Sequence, residues 1–129
     1  ERGLSNQVFL TGYRDDVPRI LGASDALVLP SFREGTPRVI TEAMASGLPV
    51  VATDIAGIPE QIEDGENGFL IPTGDTDTLA ARMRELAMDS ALRKQMGERG
   101  LERAEQFSVA SMVEELEQVY GELLEQNLA

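Results

Sequence analysis

Four short apolar runs rich in β-branched residues, at 8–11, 26–29, 49–53 and 68–71, alternate along the chain with segments of helical periodicity. Strands and helices in succession predict an α/β fold with a parallel sheet. Each run is continuous rather than alternating, the pattern of strands covered on both faces, so helices are expected on either side. The helical segments fall at 16–24, 37–46, 59–63, 75–89, 91–106 and 109–126. Polar turns at 64–68 and 72–75 punctuate these elements without dividing the chain into domains.

Local chemistry sharpens several boundaries. Asp75 is a good N-cap for a helix in which Leu79, Met83 and Leu86 recur at helical spacing, and Ser108 suits the cap of the final helix. Around 37–46, Thr36 fits the cap, Pro37 the first helical position, Gly47 the residue just past the end, and Pro49 the stop. The last helix carries the strongest stripe, with Met112, Val113, Leu116, Val119, Tyr120, Leu123 and Leu124 on one face, and is expected to pack on the core.

The 129 residues suffice for one domain with a genuine core. Acidic residues outnumber basic ones 23 to 11, and a net charge of −12 excludes nonspecific binding to nucleic acid or to an anionic membrane surface. The apolar runs are too short to cross a bilayer, no signal-peptide pattern opens the chain and cysteine is absent, which together lead us to expect a soluble, cytoplasmic protein. A peripheral membrane position is left open for a longer parent. Histidine is absent too, so chemistry falls to carboxylates, backbone groups or substrate. The chain opens on Glu1 rather than methionine, and we expect a fragment in which 1–129 form one unit.

The segment 30–49 carries the candidate chemistry. Its helix begins just beyond the carboxyl end of the run 26–29, where open α/β sheets bind ligands. The free amides of the first turn and those of Gly35 and Thr36 present the positive end of the helix dipole, which favours an anion such as diphosphate. Gly35 has no side chain to hold a ligand off. Glu34 precedes these amides and Glu42 follows, roughly 9 Å along the helix. Two carboxylates bracketing an anion site match a sugar nucleotide, whose sugar and ribose offer vicinal hydroxyls on either side of the phosphates.

Glu34 and Glu42, within Pro-Ser-Phe-Arg-Glu-Gly-Thr-Pro-Arg-Val-Ile-Thr-Glu-Ala-Met-Ala-Ser-Gly-Leu-Pro-Val-Val-Ala-Thr-Asp, closely resemble the signature of group 1 (family 4) retaining glycosyltransferases of GT-B fold. The match extends to Val-Phe-Leu-Thr-Gly-Tyr before it and to Gly-Ile-Pro-Glu and Gly-Phe-Leu-Ile-Pro after it. The resemblance implies a Rossmann-like sheet with helices on both faces, part of a GT-B C-terminal domain that binds a nucleoside diphosphate sugar. It implies Glu34 at the donor sugar and in the catalytic centre, Glu42 at the ribose, backbone donors to the sugar and phosphates from Gly35 and Thr36, and Pro37 and Arg38 among the donor-binding residues. Gly12, Tyr13 and Arg14 would lie beside the nucleobase. It implies a parent that transfers sugar with retention, with no metal and no cofactor beyond the donor. Arg33 and Arg38 can neutralise diphosphate or simply face water, while Gly57 is read chiefly as a turn residue and Glu60 as a cap or a solvated group.

The chain departs from the family pattern in lacking the N-terminal acceptor domain and the two strand and helix units that precede the run 8–11. Lys94, the only lysine, cannot replace the basic phosphate-binding pair those units commonly carry. In the family's sheet order the run 8–11 would be orphaned. We therefore expect it to pair directly with 26–29, or a rearranged sheet, or a homodimer or strand exchange through the exposed edge. For the isolated chain a noncatalytic nucleotide-sugar-binding or assembly module is the favoured alternative. A phosphoaccepting receiver domain using Asp54 lacks its neighbouring acidic pair and lysine, and no P-loop or dinucleotide fingerprint is present.

Overall fold

A computed structural model describes residues 3–128. The elements run α1 (Val17–Leu21), β1 (Leu27–Leu29), α2 (Arg38–Ala45), β2 (Val50–Thr53), α3 (Ile58–Gln61), β3 (Gly68–Ile71), α4 (Thr76–Met88), α5 (Ser90–Ala104), a short 3-10 turn (Glu105–Phe107) and α6 (Val109–Leu128). The sheet is parallel in the order β1-β2-β3, with Leu27 opposite Val50 and Val50 opposite Gly68. This is the Rossmann-like α/β architecture expected from the alternating pattern.

β2 is central and buried along its whole length. Its side chains alternate, so Val50 and Ala52 meet Ile40, Met44, Ile58 and Ile62 on one face, while Val51 meets Phe69, Leu86 and Met96 on the other. Helices thus cover both faces, α2 and α3 on one and α4 and α5 on the other. α5 also reaches α2 through glycine: a Cβ built on Gly97 would lie 2.1 Å from the Gly47 carbonyl oxygen. That approach closes on the end of α2, where Gly47 at φ +71° lets its amide reach Met44 O at 2.9 Å and the Leu48 amide reach Ala43 O at 3.0 Å. The paired bonds form a Schellman cap and confirm the stop read from Gly47. Asp75 caps α4 by accepting the Thr78 amide at 2.9 Å, and the Ser108 hydroxyl accepts the Ser111 amide at 3.1 Å at the start of α6.

Two expectations fail. The run 8–11 is not a strand, and Leu10 is 97% exposed. Direct pairing with the run 26–29 does not occur, since β1 pairs only with β2 among the described residues. A strand exists only with a neighbour to bond, and these residues have none. Nor does the stripe of α6 pack on the core, because Met112, Val113, Leu116, Val119, Tyr120, Leu123 and Leu124 remain between 41% and 64% exposed. Amphipathicity marks a face suited to burial, and the tertiary fold leaves this one largely in solvent.

Candidate functional site

β1 ends at Leu29, the chain crosses the carboxyl edge of the sheet through 30–37, and α2 follows. The helix starts one residue later than expected. Pro37, not Thr36, is the cap residue, with φ −71° and ψ 116°, and no side chain caps the terminus. The extended ψ of Pro37 takes it out of the first helical position, and the Thr36 hydroxyl is turned toward Gly57, where a built Cβ would come within 2.8 Å of it. The first-turn amides of α2 are therefore left without a side-chain cap, the condition for accepting an external anion.

Glu34 is half-buried, and one of its oxygens, Oε1, accepts the Ser31 hydroxyl at 2.7 Å. The Ser31 carbonyl in turn accepts the hydroxyl of Thr53 at 2.7 Å, from the buried last residue of β2. Gly35 and Thr36 are exposed, with open space around Gly35, and the Gly35 carbonyl accepts the Gly57 amide at 3.1 Å. Glu42 is half-buried on the second turn of α2. Below it the buried Gln61 donates to Pro37 O at 3.2 Å and to the Thr41 hydroxyl at 2.8 Å, fixing the first turn of the helix from beneath.

The sequence-derived residues are thus only partly assembled. Glu34, Gly35, Thr36, Pro37 and Glu42 lie on one continuous loop and helix start. Arg33 is exposed in the loop. Arg38 is exposed on the first turn and lines, with Thr41, Gln61, Phe107 and Met112, a groove of about 300 Å³ toward α6. Gly12 and Tyr13 are not held against this segment: open space surrounds Gly12, and Tyr13 is 94% exposed ahead of α1. Nearby, Arg14 grips Asp16 through two bonds of 2.7 and 2.6 Å, which hold the Asp16 carboxyl below its ordinary value.

Sequence reasoning missed Ser31, Thr53 and the support from Gln61 altogether, and it read Gly57 chiefly as a turn. Gly57 is instead a point of close approach: its Cβ would come within 2.9 Å of Gly35 O, and the preceding Ala56 takes the left-handed φ of +46°. No local pattern announces a contact between residues 22 apart in sequence. Among the described residues no group of three or more acidic side chains is placed to hold a metal ion, and no helix is long and apolar enough to cross a membrane.

Known proteins are similar to this chain in sequence and in fold. The chain is 36% identical over 122 residues to N-acetyl-alpha-D-glucosaminyl L-malate synthase of Bacillus anthracis, covering 94% of this chain and 32% of that protein. Among solved structures, Anabaena HepE in complex with UDP superposes with a TM-score of 0.88 at 32% identity, covering 93% of this chain and 34% of that one. Sucrose-phosphate synthase from Thermosynechococcus elongatus gives a TM-score of 0.86 at 28% identity over 95% of this chain and 32% of its own. The chain therefore spans about a third of the length of these relatives. The family model described as glycosyl transferases group 1 matches residues 1–103, a range that takes in the loop, α2 and most of α5, and the chain belongs to that family.

Proposed function

We propose that this chain is the donor-binding part of a glycosyltransferase and grips a nucleoside diphosphate sugar at the start of α2. The uncapped terminus of α2 carries the reading, set at the carboxyl edge of the sheet between the carboxylates of Glu34 and Glu42. The diphosphate takes the amides at the start of α2 ahead of Ile40, whose own amide is bonded to Pro37 O, and those of Gly35 and Thr36; Glu34 takes the sugar hydroxyls, and Glu42 the ribose. Anabaena HepE, a structural neighbour, has been solved with UDP and with UDP-glucose, which supports this class of ligand.

In the full-length parent the reaction is transfer of the sugar to an acceptor with retention of configuration. The departing diphosphate gains charge as the glycosidic bond breaks, so preorganised amides stabilise the transition state more than the ground state. Backbone groups rather than a metal supply this stabilisation. The free edge of β1 and the exposed stripe of α6 are surfaces that an acceptor domain and the rest of the donor domain would cover. For the isolated chain the reading is binding without turnover, which its span of about a third of its relatives supports.

The test is calorimetry on the full-length parent with UDP-, GDP- and ADP-glucose, alongside a turnover assay with and without a chelator. Glu34→Gln and Glu42→Gln are each expected to weaken the preferred donor by about tenfold or more, the loss of a charged hydrogen-bond acceptor. Unchanged affinity and velocity in both variants would refute the site, and turnover by the 129 residues alone would refute the division of labour.

A further inference from the structure

We propose that the carboxyl end of β2 is the template that shapes the donor loop, with Thr53 and Ser31 setting the carboxylate of Glu34 and Gly57 setting the amide of Thr36. The inference rests on the donor site proposed above. Ser31, Thr53 and Gly57 are positioning residues, acting through the groups that touch the ligand.

The first anchor is a chain of two hydrogen bonds. Thr53 is 1% exposed, and its hydroxyl donates to Ser31 O at 2.7 Å, fixing the backbone at the root of the loop. From that fixed position the Ser31 hydroxyl donates to Glu34 Oε1 at 2.7 Å. One carboxylate oxygen is thereby held by protein, and Oε2 is left in a defined direction for sugar hydroxyls. A free glutamate would have to lose its rotamer freedom on binding, and this one has already lost it.

The second anchor works through peptide geometry. Gly57 N–H donates to Gly35 O at 3.1 Å. In a trans peptide the carbonyl and the following N–H point in opposite directions, so fixing Gly35 C=O toward Gly57 turns Thr36 N–H to the other side. Residue 57 must lack a side chain for this, because a Cβ there would come within 2.9 Å of Gly35 O and 2.8 Å of Thr36 Oγ1. The first anchor is the last residue of β2, the strand buried along its whole length, and the second stands just ahead of α3 in the turn that follows it. Sugar and diphosphate recognition are consequently held in fixed relation yet adjusted by different residues.

That separation gives the test. The full-length parent is titrated by calorimetry with whichever of UDP-, GDP- and ADP-glucose it binds most tightly, and with the matching free nucleoside diphosphate. Ser31→Ala and Thr53→Val are expected to weaken the sugar nucleotide about fivefold to tenfold and the free diphosphate by less than about twofold. Thr53→Ser restores the hydroxyl and should bind both as the wild type does. Ser31→Ala combined with Thr53→Val should lose no more than the weaker single variant, since the two act in series. Gly57→Ala should weaken both ligands alike. Thermal melting checks that each variant folds, and Ser31→Ala, on the loop rather than in the core, stands if Thr53→Val does not fold.

Equal weakening of both ligands by Ser31→Ala and Thr53→Val, or no weakening of either, overturns the template. Glu34→Gln in the same assay separates the two levels. If it abolishes the preference for the sugar nucleotide while Ser31→Ala leaves it intact, only the template fails. If Glu34→Gln leaves the preference intact, or no sugar nucleotide binds, the donor site fails and the template with it.

Discussion

Two glycines one turn apart on α5 respond to the same substitution in opposite directions. Gly97 and Gly100 are both buried against the end of α2, and both sit inside a helix, where alanine is intrinsically favoured over glycine by about 1 kcal/mol. At Gly100 a Cβ would meet Met44 Cα at 3.6 Å and Leu48 O at 3.7 Å, ordinary van der Waals distances. At Gly97 it would meet Gly47 O at 2.1 Å, almost an ångström inside the closest approach that real Cβ atoms show. The obstacle is backbone, held in place by the Schellman cap of α2, so no side chain can swing aside.

Forcing α5 away costs about 3 kcal/mol, the upper end for overpacking, and the helix propensity returns about 1. Gly97→Ala is therefore expected to destabilise by about 2 kcal/mol, and Gly100→Ala to stabilise by about 0.5–1 kcal/mol. Urea unfolding followed by far-UV circular dichroism reads both, as midpoints displaced in opposite directions at an unchanged slope. Gly97→Ala as stable as the wild type, or the two variants moving together, would refute the close approach between α5 and Gly47.

Other outcomes follow from single contacts. Ala56→Gly relieves a left-handed residue with a Cβ and should raise stability by about 0.5–1 kcal/mol after glycine's entropy cost; an unchanged or lowered urea midpoint counts against it. Asn67 is 1% exposed, accepts the Glu63 amide at 2.8 Å and donates to Gln61 O at 3.1 Å. Asn67→Ala orphans the Glu63 amide and should cost about 2–3 kcal/mol by the same assay, whereas a loss under about 0.5 would show that water replaces the side chain. Asp75 is held below the ordinary carboxyl range by the Thr78 amide first and the Thr78 hydroxyl second. A depressed value contributes stability above the unfolded pKa of about 3.9 that is lost as pH falls through the folded value below it. Unfolding midpoints should accordingly show this loss only below about pH 4, and Asp75→Asn should flatten it; an equally steep acid limb in the variant would refute the assignment.

What could be read from residues alone was decided within a few positions of the chain, although the start of α2 at Pro37 and the bond from Ser31 to Glu34, equally local, were not read. The cap of α4 at Asp75, the start of α6 at Ser108 and the stop of α2 at Gly47 depend on neighbours three to six residues away, and the apolar runs of the three paired strands are equally local. The bracketing of α2 by Glu34 and Glu42 was legible for the same reason. Tertiary structure decided the rest, because strand pairing and burial need a second surface that no local pattern specifies. The run 8–11 has the composition of a strand and no neighbour to bond, while α6 has an apolar face left largely in solvent. The contacts that aim the loop run from Thr53 to Ser31 and from Gly57 to Gly35, each 22 residues apart, and they exist only once β2 lies beside β1 and brings two distant stretches to the same edge.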